Sequence, residues 1–397
     1  MSLSKIIERI RKDLNDPKFS SVAKWRKANP GGKVIGYFPV YAPFELIHAA
    51  GMLPVLLAGA NGFLRVNLAG GHLQGFTCSI GRSTLEMELE GLLPDFDGIV
   101  FPSTCEISRI LIGVWERREP RVPVIYLHFP QNLESAHSVD YLATELVRFK
   151  NSLEKISGKS ITDDAICQSF EAYNERASLL KQLDEFRREN PGKLKGSEYY
   201  LIRLSGMVVP VGEHSKILRK VIAELPSVTN RTEPGLRMLL TGAFCERPPV
   251  QMLEEIEEAG VDIVGDDLLM GQRWWTEPLP IDGEPLRTLA EHWVKNSAFS
   301  AIVHHNPDAL ANEIIGKVEE CKADGVIVAT AKFCHSAQND GTEIVRTCER
   351  RGIPYMTMEF EEDLNIFEKF RMQVEALLEA RRILPFAGTE KLRRGSK

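Results

Sequence analysis

The sequence predicts an α/β protein made of two doubly wound parallel-sheet domains joined by a helical segment. Three observations carry this. Short runs rich in Val, Ile, Leu and Phe, bounded by turn residues, recur through residues 34–130 and again through 235–360, as strands buried on both faces do. Amphipathic helical patterns lie between successive runs, which is the alternation of βαβ units. Residues 138–226 break that alternation with helical periodicity and almost no strand-like run.

Taken in order, the first 32 residues read as helices with a polar connection, SLSKIIERIRKDL and then SSVAKWRKANPGG. VIGYFPV (34–40) follows as a strand, FELIHAAG (44–51) as a helix closed by Gly51, and MLPVLLAGA (52–60) as the next strand. LEMELEGLL (85–93) reads as helix, DGIVFPS as strand, SRILIGVWERR (108–118) as helix and VPVIYLHFP (122–130) as strand. The alternation resumes with GLRMLLTGAF (235–244), the helix PVQMLEEIEEAG (249–260) and the strand VDIVGDDL (261–268). A helix over 307–323 then leads into the strand GVIVATA, the helix TEIVRTCERRG (342–352), the strand PYMTMEF (354–360) and a long terminal helix over 365–382. The expected units are N-terminal helices (1–32), a first α/β domain (33–137), a helical linker domain (138–230) and a second α/β domain with a C-terminal helix (231–397). Both α/β units are of the Rossmann or flavodoxin-like kind, with a ligand cleft between them.

Composition narrows the function. The 397 residues carry a net charge of −6, with 43% apolar and 26% charged residues, which speaks against a nucleic-acid groove or an anionic membrane surface as partner. No apolar run reaches membrane-spanning length, and MSLSKIIERIRKDL reads as an amphipathic helix rather than a signal peptide. A cytoplasmic protein is expected. Neither a P-loop nor GxGxxG spacing occurs, the glycine-containing stretch at 58–62 included, so ATP and NAD are not expected by those routes. The seven cysteines form no CxxC pair; metal ligands, if any, must converge from distant parts of the chain.

Two cysteines stand in matching contexts. GIVFPSTCE (98–106) and GVIVATAKFCHSAQ (325–338) each run a buried-strand pattern into a polar turn with a cysteine, after Asp97-Gly98 and Asp324-Gly325. Cys105 and Cys334 therefore belong just beyond strand carboxyl ends, where open α/β sheets hold ligands. Cys78, in GFTCSIGRS (75–83), opens a helix as they do. Helix N-termini favour thiolates, and three of them converging would cradle an iron–sulfur cluster. Cys245, in TGAFCERPP, also follows a strand, and spacing does not choose between it and Cys78. Cys167, Cys321 and Cys348 sit inside helical patterns and read as small buried apolar residues.

Polar residues gather at the same strand ends. Arg82, Ser83, Glu106, Ser108 and Arg109 follow Cys78 and Cys105; His335, Ser336, Gln338 and Asn339 follow Cys334. Acid–base or cluster-orienting roles are open to them, with His335, Glu106 and Arg109 the candidate catalytic residues. Helix capping is the simpler account of Ser83, Ser108 and Ser336. Tyr37, Pro39, Tyr41, Pro43 and Glu45 lie beyond the first strand on the ligand side, and Asp266 or Asp267 either lines the cleft or caps. The paired histidines of VHHNP (303–307) read as a surface turn.

The segments VIGYFPVYAPFELIHAAGMLPV (34–55), FTCSIGRS (76–83), DGIVFPSTCEISR (97–109), the GDDL strand and GVIVATAKFC (325–334) together resemble the 2-hydroxyacyl-CoA dehydratase family, which includes the benzoyl-CoA reductases. The similarity covers roughly residues 33–382, and YFPVYAPFELIHAAG and FPSTCEISRILIGVWERR are most similar to the smaller, C-type cluster-binding subunit of ATP-dependent benzoyl-CoA reductase. The resemblance implies one [4Fe–4S] cluster held by three cysteines, carried over here to Cys78, Cys105 and Cys334. It implies a homologous cluster-binding subunit as partner in an anaerobic heterotetramer of aromatic degradation, with ATPase subunits that hold their own cluster and a low-potential ferredoxin upstream. The implied reaction dearomatises the ring of benzoyl-CoA to a cyclohexadiene-carbonyl-CoA, a step whose potential lies beyond ordinary ferredoxin reach, so that ATP hydrolysis drives it. One departure is visible: KFCHS places His335 where many relatives have an acidic residue, as a proton donor or a hydrogen-bond partner to the cluster. A 2-hydroxyacyl-CoA dehydratase subunit is the alternative. A non-catalytic electron-relay or scaffold subunit, with Cys245 or a partner's residue as fourth ligand, is another, and a metal-free binding protein with buried thiols is the fallback.

Overall fold

Eight strands among the described residues form two four-stranded sheets, each wholly parallel. They are seen in a computed structural model, which describes residues 2–39, 41–229, 235–268, 277–297, 300, 303, 306–362 and 367–383. The first sheet holds β1 (Val34–Tyr37), β2 (Leu53–Leu56), β3 (Gly98–Pro102) and β4 (Val124–Leu127) in the order β2-β1-β3-β4. The second holds β5 (Leu236–Thr241), β6 (Val261–Asp266), β7 (Gly325–Ala331) and β8 (Tyr355–Phe360) in the order β6-β5-β7-β8. The two orders are the same. Pro54 is tolerated because β2 is an edge strand, where a missing N–H breaks no ladder. In each sheet the winding reverses between the two central strands, and the crevice that opens at their carboxyl ends is the place such sheets bind ligands.

The helices follow the strands. They are α1 (Leu3–Leu14), α2 (Ser20–Ala28), α3 (Phe44–Ala49), α4 (Ser79–Leu89) and α5 (Glu106–Arg118), then α6 (Ser138–Ser157), α7 (Asp163–Glu189), α8 (Gly196–Ser205) and α9 (Val211–Glu224). The second sheet carries α10 (Val250–Glu258), α11 (Pro285–Asn296), α12 (Pro307–Cys321), α13 (His335–Arg351) and α14 (Glu368–Ile383). The largest apolar cluster runs through both sheets. It joins Ile35, Val100 and Leu127 to Met238, Ile263 and Ile327 by way of Phe149, Phe170 and Trp293. Helix α1 docks its buried Leu3, Ile6, Ile7 and Ile10 on the helical segment, against Leu183, Tyr199 and Leu218.

Three expectations change. Strands β1 and β2 stop at Tyr37 and Leu56, short of the apolar runs that contain them. Helix α13 begins at His335, well before Thr342, because its first turns bury Ser336, Ala337, Asp340 and Gly341, which make no apolar pattern. Helix α11, over PLRTLAEHWVKN, was not anticipated; it starts at Pro285, takes an N-cap from the Glu284 carboxylate to the Arg287 N–H (3.1 Å), and buries Leu286, Leu289 and Trp293. Among the described residues, no helix is long and apolar enough to cross a membrane.

Candidate functional site

Four cysteines meet at the carboxyl ends of the two sheets. Cys105 leaves β3 and N-caps α5; Cys334 leaves β7 and N-caps α13. Strands β3 and β7 hold the same place in their sheets, so the two thiols are topological equivalents. Cys78 N-caps α4, at the end of the long excursion that follows β2. Cys245 lies in the short loop between β5 and α10. Its thiol is the foremost electrostatic neighbour of Cys105, and its charge neighbours are Cys105, Cys334 and Cys78. Sequence spacing left Cys78 and Cys245 as competitors, and the structure brings in both. The signal for Cys245 was its position after a strand, shared with Cys105 and Cys334.

Backbone N–H groups converge on these sulfurs. Cys105 Sγ accepts from Ser108 N at 3.4 Å; the Gly81 N–H points at Cys78, and those of Ala337 and Cys245 point at Cys334. A Cβ on Gly81 would come within 2.5 Å of Ile107 Cγ2, so glycine there lets the first turns of α4 and α5 approach. Cys78, Cys245 and Cys334 are buried and Cys105 is half-buried.

The electrostatics call for positive charge. The neighbouring Cys245 thiol is the largest influence on Cys105 and holds its thiol below the usual range, helped against burial by the N–H groups of Ser108 and Ile107 and by Arg109. Burial, then the charges of Glu246, Cys334 and Cys105, push Cys78 well above that range. Cys334 is pushed up to about 12, chiefly by burial. Cys245 is raised by the neighbouring Cys105 thiol, by burial, and by the charges of all three other sulfurs. Sulfurs that oppose one another's ionisation become thiolates together only around a cationic core. Among the described residues no three His, Cys, Asp or Glu side chains converge on one point as ligands of a single ion. A cubane asks for something else, one sulfur per iron from ligands that stand apart, and four thiols on four separate segments fit it.

Buried carboxylates stand beside the thiols. Glu246 accepts from Ser79 Oγ and from Ile80 N at 3.2 Å, and burial with the neighbouring Glu362 raises its carboxyl to about 8. Glu362 accepts from Ala60 N at 3.2 Å, and its own N–H donates to Ser79 Oγ at 3.2 Å. Sequence reasoning singled out neither residue.

The other expected residues scatter. Glu106, Arg109 and His335 are exposed in the first turns of α5 and α13, next to Cys105 and Cys334, and Arg109 Nη2 donates to Ser103 O at 3.4 Å. Gln338 and Asn339 are exposed as well. Arg82 pairs with Glu361 at 3.8 Å. The serines are not the caps that were expected, since the cysteines hold those positions: Ser83 Oγ donates to Ile80 O and accepts from Ala60 N, and Ser108 Oγ donates to Pro102 O at 2.6 Å. Ser336 is buried one residue inside α13. Asp267 is held by Thr241 and Lys317, and Asp266 accepts from Leu268 N; both are buried away from the thiols' charge neighbours. Tyr37 donates to Met207 Sδ, and Tyr41 stacks on Phe129 with centroids 4.2 Å apart. Pro39 and Pro43 are buried in the same loop. Glu45 is fully buried; apart from its own N–H its carboxyl has no hydrogen-bond partner among the described residues, and burial, opposed by the charge of Arg176, raises it to about 8. Cys321 and Cys348 are core residues, whereas Cys167 is only half-buried, because its turn of α7 lies at the surface with Sγ donating to Ile281 O at 3.7 Å. His304 and His305 lie outside the described residues.

Comparison with known proteins agrees with the family resemblance of the sequence. A family model described as 2-hydroxyglutaryl-CoA dehydratase, D-component, matches residues 39–380. The chain is 32% identical over 374 residues to the C subunit of benzoyl-CoA reductase from Thauera aromatica, covering 94% of this chain and 97% of the relative. It is 26% identical over 356 residues to the beta subunit of lactoyl-CoA dehydratase from Anaerotignum propionicum, covering 89% and 93%. It is 25% identical over 386 residues to the beta subunit of (R)-2-hydroxyglutaryl-CoA dehydratase from Acidaminococcus fermentans, covering 96% and 100%.

Proposed function

We propose a function that proceeds from one premise: the chain belongs to the 2-hydroxyglutaryl-CoA dehydratase D-component family. It is the [4Fe–4S]-binding subunit of an ATP-dependent aromatic acyl-CoA reductase of the benzoyl-CoA reductase type. The observation that carries this is that Cys78, Cys105 and Cys334, from three separate segments and each at the N-cap of a helix, are electrostatic neighbours. Those three residues hold the cluster, which when bound supplies single electrons at low potential. The chain's own part is to hold the sulfurs under the N–H groups of Gly81, Ser108 and Ala337, and hydrogen bonds of that kind tune a cluster's potential. Burial excludes water from Cys78 and Cys334. Exposed Glu106, Arg109 and His335 border the thiols where a benzoyl-CoA ring would approach, and take the proton-handling and orienting roles. The partners are a homologous cluster-binding subunit and ATPase subunits fed by a low-potential ferredoxin, all in the cytoplasm.

One observation favours a second reading. Cys245 is an electrostatic neighbour of all three other sulfurs, so it can ligate the fourth iron and make this chain an electron relay for its homologue. A 2-hydroxyacyl-CoA dehydratase is kept in view by the dehydratase names among the relatives.

The test is iron, acid-labile sulfide and EPR on protein purified without oxygen and co-expressed with its partners. About four irons per chain are expected, as for one cubane; a colourless, iron-free chain would overturn the proposal. Cyanide separates the two cluster readings: it perturbs the EPR signal of the wild type if one iron is open, and only that of Cys245→Ala if Cys245 closes the site. Turnover of benzoyl-CoA against a 2-hydroxyacyl-CoA by the reduced complex then decides the reaction.

A further inference from the structure

Glu246 follows Cys245 in the chain, and Ser79 follows Cys78. The first pair belongs to the second sheet's half of the molecule and the second pair to the first sheet's half. Between them lies a buried polar bridge. The Ser79 hydroxyl donates to Glu246 and accepts from the Glu362 N–H at 3.2 Å, and Ile80 N donates to Glu246 at 3.2 Å. Glu362 in turn caps Ala60 N of the first half at 3.2 Å. Ser79 is 2% exposed, Glu246 1% and Glu362 8%. Carboxylates this deep are costly to bury, and they persist where several donors are aimed at them.

The glycines at 58–62, which fit no nucleotide motif, have their use here. Gly59 and Gly62 stand at φ +76° and +77°. A Cβ on Gly59 would run into Glu362 Oε1 and come 2.6 Å from Ser83 Oγ, and one on Gly62 would come 2.6 Å from Glu362 O. The loop is shaped around Glu362. Outside it, Arg82 reaches Glu361 at 3.8 Å and Arg247 bonds Asn61, both again across the two halves.

We infer that Glu246 and Glu362 are positioning residues, a clasp by which the second half caps helix α4 and the 59–62 loop and so fixes Cys78 in register with Cys245 and Cys334. A general adhesive between halves would do no more than stabilise the fold. This clasp grips the residues next to Cys78 and the first turn that Cys78 caps, so its loss acts on that thiol first. The geometric part stands on the metal-free chain; only the effect on iron rests on the proposed cluster.

The experiment measures, cysteine by cysteine, the rate of N-ethylmaleimide labelling of the full metal-free chain by peptide mass spectrometry. Glu246→Ala is expected to raise labelling of Cys78 by about tenfold or more, as local opening does when buried hydrogen bonds are lost and their partners left unsatisfied, while Cys348 in its separate core keeps the wild-type rate. Glu246→Gln, whose amide still meets both Ser79 and Ile80, should restore most of the protection. If Glu246→Ala does not fold, Ser79→Ala removes the bridging hydroxyl alone and is read in the same way. Unchanged Cys78 labelling, or an equal rise at Cys78 and Cys348, would overturn the clasp. In the anoxic complex, Glu246→Ala should convert part of the four-iron EPR signal to a three-iron one. Altered labelling in a chain that never takes up iron would leave the clasp standing and remove the cluster.

Discussion

The two sheets share one strand order and use it differently. At their third places, β3 and β7 run into Cys105 and Cys334, and each cysteine holds the N-cap position of the helix that follows. At their second places they diverge: β5 leads directly to Cys245 and Glu246, whereas β1 leads to a loop with Tyr41 at φ +61° and then to Glu45. The excursion after β2 delivers Cys78, whereas β6 ends in Asp266, followed by Asp267, and these bond Leu268 N, Thr241 and Lys317 of their own half. A repeated topology thus supplies a matched pair of thiols, and individual loops supply the other two. Equivalence belongs to the frame, and difference to what each half hangs on it.

The largest expected effect tests the matched pair. Cys105→Ala and Cys334→Ala should each take the anoxic chain from about four irons to nearly none, since two remaining thiolates of the proposed three do not hold a cubane. Iron and sulfide analysis of both variants, with unchanged circular dichroism as the folding control, checks this. A chain that tolerates one loss and not the other would break the equivalence of β3 and β7.

The matched pair was legible in the sequence because strand, cysteine and helix are contiguous in GIVFPSTCE and GVIVATAKFC. The alternation of strands and helices was legible for the same reason, each period lying within a dozen residues. The beginning of α13 was hidden, because HSAQND buries small and polar residues. The clasp was hidden more deeply. Glu246 and Ser79 are 167 positions apart, and Glu362 and Ala60 are 302 apart, and nothing local marks a carboxylate whose partners are backbone N–H groups in the other half.

Gly59→Ala sharpens the contrast between loops. Its φ is positive and Glu362 fills the space beside it, while Gly51, at φ +69°, has nothing within 4 Å. Positive-φ strain alone applies to Gly51→Ala, about 1–2 kcal/mol, whereas strain and overpacking together should cost Gly59→Ala roughly 2–5 kcal/mol. Urea unfolding of the two variants measures the difference; equal costs would mean that the 59–62 loop does not depend on Glu362.

Glu45 and Glu246 both follow a central strand, both are buried, and both have carboxyls raised to about 8. Glu246 has its bridge, and among the described residues Glu45 has no such donors. Between pH 4.5 and about 8 the folded chain keeps a proton on Glu45 that the unfolded chain releases. Its contribution to stability is therefore whole below pH 4.5 and is lost as pH rises through 8. Glu45→Gln removes that slope and should stabilise the chain at pH 8 by about 2–3 kcal/mol relative to wild type, with little change at pH 5. Stability curves at the two pH values check it, and a variant equally destabilised at both would mean that the Glu45 carboxylate has a partner in the folded state.

The smallest expected effect comes from a cysteine on the same helix as Cys334. Cys348 lies in the body of α13, fully buried among Leu239, Val326, Ile344 and Ile353 in a core apart from the one that holds Cys334. Its thiol is raised to about 11, mainly by burial and then by Glu349, and the other cysteines have no part in that shift. Cys348→Ala exchanges a sulfur for a small void and should cost about 1–2 kcal/mol, with iron content unchanged. Two cysteines of one helix, one at its cap and one in its core, thereby separate a ligand from a packing residue without altering the fold around either. If the Cys348 variant lost its iron while the Cys334 variant kept it, the helix cap would not be the feature that makes these thiols ligands, and the equivalence of β3 and β7 would carry no chemical meaning.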